Sequence, residues 1–177
     1  MKRILCLLLV LCMMLPVVAL AEGTAKLGTA YGFCHNHGVT VASVAVVDGV
    51  IVDASLDEIY FTNANGEFKP LTGAEEVAVV KDGDTENTVI LLSKRENDAL
   101  YSANMVARGG QTVATSYDGI VAFVIGKTVT ELEEAVAEYN ADDADSKAAF
   151  IDVVSGATLT DTLKYTLVLL DAAHAAQ

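Results

Sequence analysis

Residues 39–61 read VTVASVAVV, then DG, then VIVDASLDEIYF. Two β-branched runs flank Asp48-Gly49. A two-residue type I′ turn needs positive φ at both central positions, which Asp-Gly supplies at little cost. The stretch therefore predicts a β-hairpin, Val39–Val47 against Val50–Phe61. Downstream, Thr62–Ala74 is rich in turn residues (Asn63, Asn65-Gly66, Pro70, Gly73). Beyond it, Glu76–Val80 and Thr88–Leu92 read as a second strand pair around Lys81-Asp82-Gly83-Asp84. Upstream, Gly23–Phe33 is polar and glycine-containing and reads as a short linker, residues 22–31 of the chain.

After the strands the period changes. Ser93-Lys94-Arg95-Glu96 has capping-box spacing, predicting a helix to about Ala107 that stops at Gly109-Gly110. Gln111–Gly126 carries two patterns. Asp118-Gly119 fits a hairpin turn, whereas Tyr117, Ile120, Val121 and Val124 recur at helical spacing and Gly126 suits a helix end. Thr128–Asn140 reads as an amphipathic helix, with Thr128 and Glu131 as its capping box and Val129, Leu132, Val136 and Tyr139 on one face. An acidic loop, Asn140–Asp145, follows. Lys147–Val154 then leads into Ser155-Gly156-Ala157-Thr158. A final helix is predicted from about Leu159 to Ala175 on the repeat Leu159, Leu163, Leu167, Leu170. Strands first and helices later give an α+β class: a small antiparallel β-sheet with an N-terminal hairpin, packed against several α-helices, one of them C-terminal.

The first 21 residues read differently. Lys2 and Arg3 precede an apolar run from Ile4 to Leu15, Pro16 breaks it, and Ala19-Leu20-Ala21 places small residues where signal peptidase needs them. Met1–Ala21 is thus expected to be a secretory signal peptide cleaved before Glu22, leaving a mature chain that does not span the membrane. Cys6 and Cys12 would leave with it, so Cys34 has no partner for an internal disulfide. Formal net charge is −13, and the loss of Lys2 and Arg3 makes the remainder more acidic still. Such a balance argues against a nucleic-acid partner and suits docking to a basic protein surface.

The stretch that carries chemistry is Asp152-Val153-Val154-Ser155-Gly156-Ala157-Thr158-Leu159-Thr160. Small residues at Ser155, Gly156 and Ala157 let a phosphate approach the backbone N–H groups. A helix start just beyond offers free N–H donors and the positive end of a dipole. A plain turn followed by a helix cap uses the same residue types. The stretch resembles the flavinylation motif Asp-x-x-Ser/Thr-Gly-Ala-Thr/Ser of the FMN-binding domain family. That family includes the peripheral flavin subunits of bacterial sodium-pumping quinone reductases and Rnf complexes, and many secreted bacterial redox domains. Five constrained positions coincide by chance in roughly one chain in a thousand of this length. Val44–Ile51 looks like the family's opening hairpin, and Ile120–Val129 like a stretch before its Glu-rich helix, which favours a helix over Tyr117–Ile125. The resemblance runs from about Gly32 to the end, giving a domain over 32–177.

The resemblance implies that Thr158 accepts FMN as a phosphoester from a separate flavin transferase, with Asp152, Ser155, Gly156 and Ala157 completing the recognised sequence. It implies an electron carrier rather than a complete enzyme, working outside the cytoplasm with a membrane-bound or extracellular redox protein. The alternative class is a non-redox exported binding or sensory module that keeps the fold without the cofactor.

Other groups carry weaker signals. Cys34-His35-Asn36-His37 places two histidines on one side of an extended chain, as a metal clip needs. However, no partner Cys-x-x-Cys or distant histidine pair exists and His174 is the only other histidine, so an exposed polar approach to the first strand is expected. Asp142, Asp143 and Asp145 lack the rest of a calcium loop and read as a solvated turn. Tyr31, Tyr60, Tyr101, Tyr117, Tyr139 and Phe123 are candidate aromatic faces for a flavin, and most are expected in or beside the core.

Overall fold

The computed structural model describes residues 23–34, 38–63, 77–82 and 85–177. The leader Met1–Ala21, the His35–His37 stretch and most of the turn-rich Thr62–Ala74 segment lie outside them.

Among the described residues, five strands form one antiparallel sheet in the order β1-β2-β3-β5-β4: β1 Lys26–Gly32, β2 Gly38–Val47, β3 Val50–Asn63, β4 Val77–Asp82 and β5 Thr85–Ser93. Five helices follow: α1 Asp98–Val106, α2 Val113–Val124, α3 Val129–Val136, α4 Ala144–Val153 and α5 Thr162–Ala175. The class is α+β, with the hairpin as its centre and α5 after the motif. At the turn, Asp48 has φ 51° and Gly49 φ 81°, the two positive values that the Asp-Gly pair predicts.

Period-two alternation decides which face is buried. Along β2, Thr40, Ala42, Val44 and Val46 point inward. Their register partners on β3 are Glu58, Leu56, Ala54 and Ile51. The register shifts beside Ala45/Val46, so Val52 is an extra residue on β3. This bulge leaves Val52 exposed and returns Ile51 to the core. Helix α5 lies against β1, β2 and β3 on the inner face. It contributes buried Leu163, Tyr165, Val168, Leu169, Ala172 and Ala173. Fully burying one such Leu stabilises the fold by roughly 1.5–3 kcal/mol.

Several boundaries differ from the sequence expectation, each for a tertiary reason. The linker expected over 22–31 contains strand β1, which pairs with β2 from Lys26↔Val46 to Gly32↔Thr40. Its glycines are not there for flexibility. A Cβ on Gly28 would sit 2.0 Å from Ala172 O, and one on Gly32 2.4 Å from Val168 Cγ2. Bare backbone is what lets α5 reach the sheet. The helix expected from Ser93 begins at Asp98. Ser93 Oγ accepts from Glu96 N, but residues 94–97 form a turn. The doubly patterned Gln111–Gly126 is helical, with Thr112 as N-cap and Gly126 at φ 86°. The Thr128/Glu131 capping box is present, though α3 ends at Val136. Helix α5 starts at Thr162, three residues later than the leucine repeat suggests, and Leu159 is buried ahead of it.

Among the described residues, no helix is long and apolar enough to cross a membrane.

Candidate functional site

The motif occupies the connection from α4 to α5. Helix α4 is capped by Asp143, whose side chain accepts from Ser146 N at 2.7 Å. Asp152 lies exposed on its last turn. The helix closes with Val154 N donating to Ile151 O, and the chain turns through Ser155-Gly156, with Gly156 at φ 87°. That φ is one an L side chain rarely adopts, so the glycine sets the turn. Ala157 N then donates back to Val154 O. Val154, Ala157 and Leu159 point into the core, whereas Ser155, Gly156, Thr158 and Thr160 are exposed. Three buried anchors thus hold a loop that presents its hydroxyls to solvent. The expected site residues share this loop, with Asp152 just before it.

Helix α2 supports the loop from one side. A Cβ on Gly119 would come 2.7 Å from Ser155 O and 3.1 Å from Ala157 N, so the motif backbone rests directly on α2. Thr158 N donates to Ser116 Oγ across a long 3.4 Å, and Thr158 Oγ1 accepts from Gln111 N at 2.9 Å. The sequence expectation gave the start of the following helix as the acceptor's neighbour. Instead, Leu159, Thr160 and Asp161 separate Thr158 from α5, and the contacts of Thr158 are with α2 and the loop before it. The signal for this was Gly119, an isolated glycine inside a helical pattern, which usually marks a close packing partner.

The loop before α2 is itself fixed. Asp98 Oδ1 accepts from Ala114 N at 2.9 Å and from Ser102 Oγ at 2.7 Å, and Ser102 Oγ accepts from Val113 N at 2.8 Å. Thr112 Oγ1 accepts from Thr115 N. The donors of the first turn of α2 are thereby taken up by α1 and by its own cap. Gly110 N donates to Met105 O, which tethers the loop to the end of α1.

Asp161 follows Thr158 by three residues, where a carboxylate would repel any anion bound at the turn. It lies 3.6 Å from Lys147 Nζ and 3.7 Å from Lys164 Nζ, so two ammonium groups offset its charge. Its side chain makes no capping hydrogen bond to α5.

A second polar group lies under the sheet. Glu58 Oε2 accepts from Lys94 Nζ at 2.8 Å and from the Tyr165 hydroxyl. Lys94 Nζ stands 4.7 Å from the Tyr101 ring centre and 5.7 Å from that of Tyr60, and these two rings meet edge to face. Burial, then the nearby Glu58 charge, pushes the Tyr101 phenol up to about 12. Burial also raises Tyr117 and Tyr165, which pack edge to face with centroids 5.1 Å apart. Tyr139 and Phe123 pack on Phe150, and Tyr31 is exposed on β1.

Cys34 departs from the exposed approach expected of it. It is 4% exposed, and burial raises its thiol to about 12. Among the described residues no group of three or more His, Cys, Asp or Glu is placed to hold a metal ion. His174 Nε2 lies 3.1 Å from Glu133 Oε1 at the surface.

No family model, no curated protein and no solved structure matches the chain.

Proposed function

We propose that the chain is an exported electron-transfer flavoprotein whose FMN is joined to Thr158 through a phosphoester by a separate flavin transferase. The observation that carries the reading is the placement of Thr158. Its side chain is exposed on a loop pinned by Val154, Ala157 and Leu159, and its Oγ1 is fixed by a backbone amide. An acceptor for an external enzyme has to be both accessible and held still. The residues present fit the group: a small-residue turn leaves room for a phosphate, and the nearest following acid, Asp161, is already paired with lysines.

Thr158 needs no activating base in its own chain, because the transferase supplies one. In the attachment, the Thr158 hydroxyl would lose its proton to the transferase's base and form an O–P bond to the FMN phosphorus of FAD, while the pyrophosphate P–O bond breaks and AMP leaves. Asp152, Ser155 and Gly156 stay exposed for recognition, while Ala157 anchors the turn. Covalent attachment keeps FMN from dissociating outside the cell, and FMN when bound supplies the redox chemistry. The acidic surface suits a basic docking patch on a membrane-bound or extracellular redox protein. Export is supported by the Met1–Ala21 pattern, and N-terminal sequencing of the mature protein is expected to begin at Glu22.

The test is coexpression with a flavin transferase and magnesium. The chain is expected to gain the mass of one FMN less one water, on a peptide containing Thr158, and to be yellow after acid precipitation. A chain that stays unlabelled where a known family member is labelled is instead a cofactor-free binding or sensory module.

A further inference from the structure

Three hydroxyls stand exposed on the motif loop: Ser155, Thr158 and Thr160. Among the described residues, only that of Thr158 takes part in a hydrogen bond, from Gln111 N at 2.9 Å. The donor belongs to a loop held by Gly110 N on Met105 O at one end and by the Asp98–Ser102 network on Val113 and Ala114 at the other. The acceptor's backbone rests on α2 at Gly119, where a Cβ would stand 2.7 Å from Ser155 O. We infer that Gln111 and Gly119 are positioning residues for the modification of Thr158: the Gln111 amide aims Oγ1 and Gly119 sets the height of the loop, which selects Thr158 over Ser155 and Thr160. This inference rests on the reading of Thr158 as the acceptor.

The amide has a chemical part as well as a geometric one. As the hydroxyl proton leaves, negative charge grows on Oγ1, and a fixed N–H donor stabilises it where solvent would have to reorganise. The amide leaves the O–H free to be taken, since it engages a lone pair rather than the proton.

Two measurements test the assignment. The first uses the unmodified protein and no transferase. Amide hydrogen exchange at Gln111 is expected to be roughly five-fold faster in Thr158→Val than in wild type or Thr158→Ser, the factor typical of one lost hydrogen bond. Gly119→Ala, which lifts the loop, is expected to do the same. Unchanged exchange at Gln111 in Thr158→Val overturns the contact. The second measures labelling. Gln111→Pro deletes the N–H, and Gly119→Ala fills the seat while favouring the helix. Each is expected to lower labelling roughly 10²-fold. The loss is expected in kcat rather than KM, because Asp152 and Ser155 remain exposed for the transferase. Gly126→Asn, a left-handed position away from the loop, is expected to label at the wild-type rate. Whichever of Gln111→Pro and Gly119→Ala keeps the wild-type circular dichroism decides the matter. Wild-type labelling in that variant sinks the inference alone. A wild-type chain that takes no label sinks the acceptor reading, and the inference with it.

Discussion

Lys94 Nζ lies 2.8 Å from Glu58 Oε2, and neither side chain is more than 2% exposed. The pair joins β3 to the turn that follows β5, and the Tyr165 hydroxyl ties it to α5. Two charges taken out of water remain acceptable only while each neutralises the other. Lys94→Met is therefore expected to cost about 3–5 kcal/mol, since it removes the cation that faces the buried Glu58 carboxyl. Adding Glu58→Gln to that variant is expected to recover part of the loss. Urea denaturation of the single and double variants checks both. A Lys94→Met protein within about 1 kcal/mol of wild type, the range of an exposed pair, would mean the ion pair contributes little.

Labelling in the motif separates acceptor from recognition. Thr158→Val keeps branching and size but removes the hydroxyl, and is expected to abolish the FMN mass shift with the fold intact. Thr158→Ser keeps a hydroxyl and is expected to retain some labelling. Asp152→Ala is expected to impair labelling without removing the acceptor. Thr160→Val is expected to change little. Mass spectrometry of each intact chain reads the result, and a shift that survives Thr158→Val assigns the ester elsewhere.

Cys34 is expected to be silent toward thiol reagents in the folded protein. Burial raises its pKa to about 12, so at pH 8 only about one part in ten thousand is thiolate. Alkylation by iodoacetamide is expected to appear only as the protein is unfolded in urea. Rapid modification of native protein at pH 8 would contradict the buried position.

Asp98 gives an acid-side prediction. Burial pushes its carboxyl up, but hydrogen bonds from Ala114 N and Ser102 Oγ, helped by the nearby polar groups of Thr112 and Val113, outweigh that and hold it below the usual 3.8. A depressed folded-state pKa contributes stability above the unfolded value, and that contribution is lost as pH falls through the folded value. The stability gap between wild type and Asp98→Asn is therefore expected to be full above about pH 5 and to close below 3.8. A gap that stays constant from pH 7 to pH 2 would assign it to packing rather than charge.

The parts of the fold that local chemistry dictates could be read from the chain. Asp48-Gly49 between β-branched runs has few alternatives to a hairpin, and Thr128 with Glu131 has few alternatives to a capped helix. Positions that answer to distant partners misled. Gly28 and Gly32 look like linker residues until Ala172 and Val168 arrive against them. Gly119 looks like a turn residue until Ser155 O is seen beside it. Glu58 left a trace, since it falls two residues after inward-facing Leu56, but its cation lies 36 residues on. The turn at Ser155-Gly156 could be expected from its residue types, and Gly156 takes the positive φ of such a turn. Its support could not, because Gln111 precedes Thr158 by 47 residues and contributes only its backbone.

The glycine seat between β1 and α5 also sets an order of events. β1 is the first described strand to be synthesised, and α5 is the last of the described helices. The inner face of β1 is covered by α5, which packs against it and against β2. A chain lacking α5 would leave the inner faces of β1 and β2 without the helix that packs on them, with less buried apolar surface to offset the entropy of ordering the sheet. Core closure is therefore expected to wait for α5, and to be complete only once residues near 176 settle against Gly28.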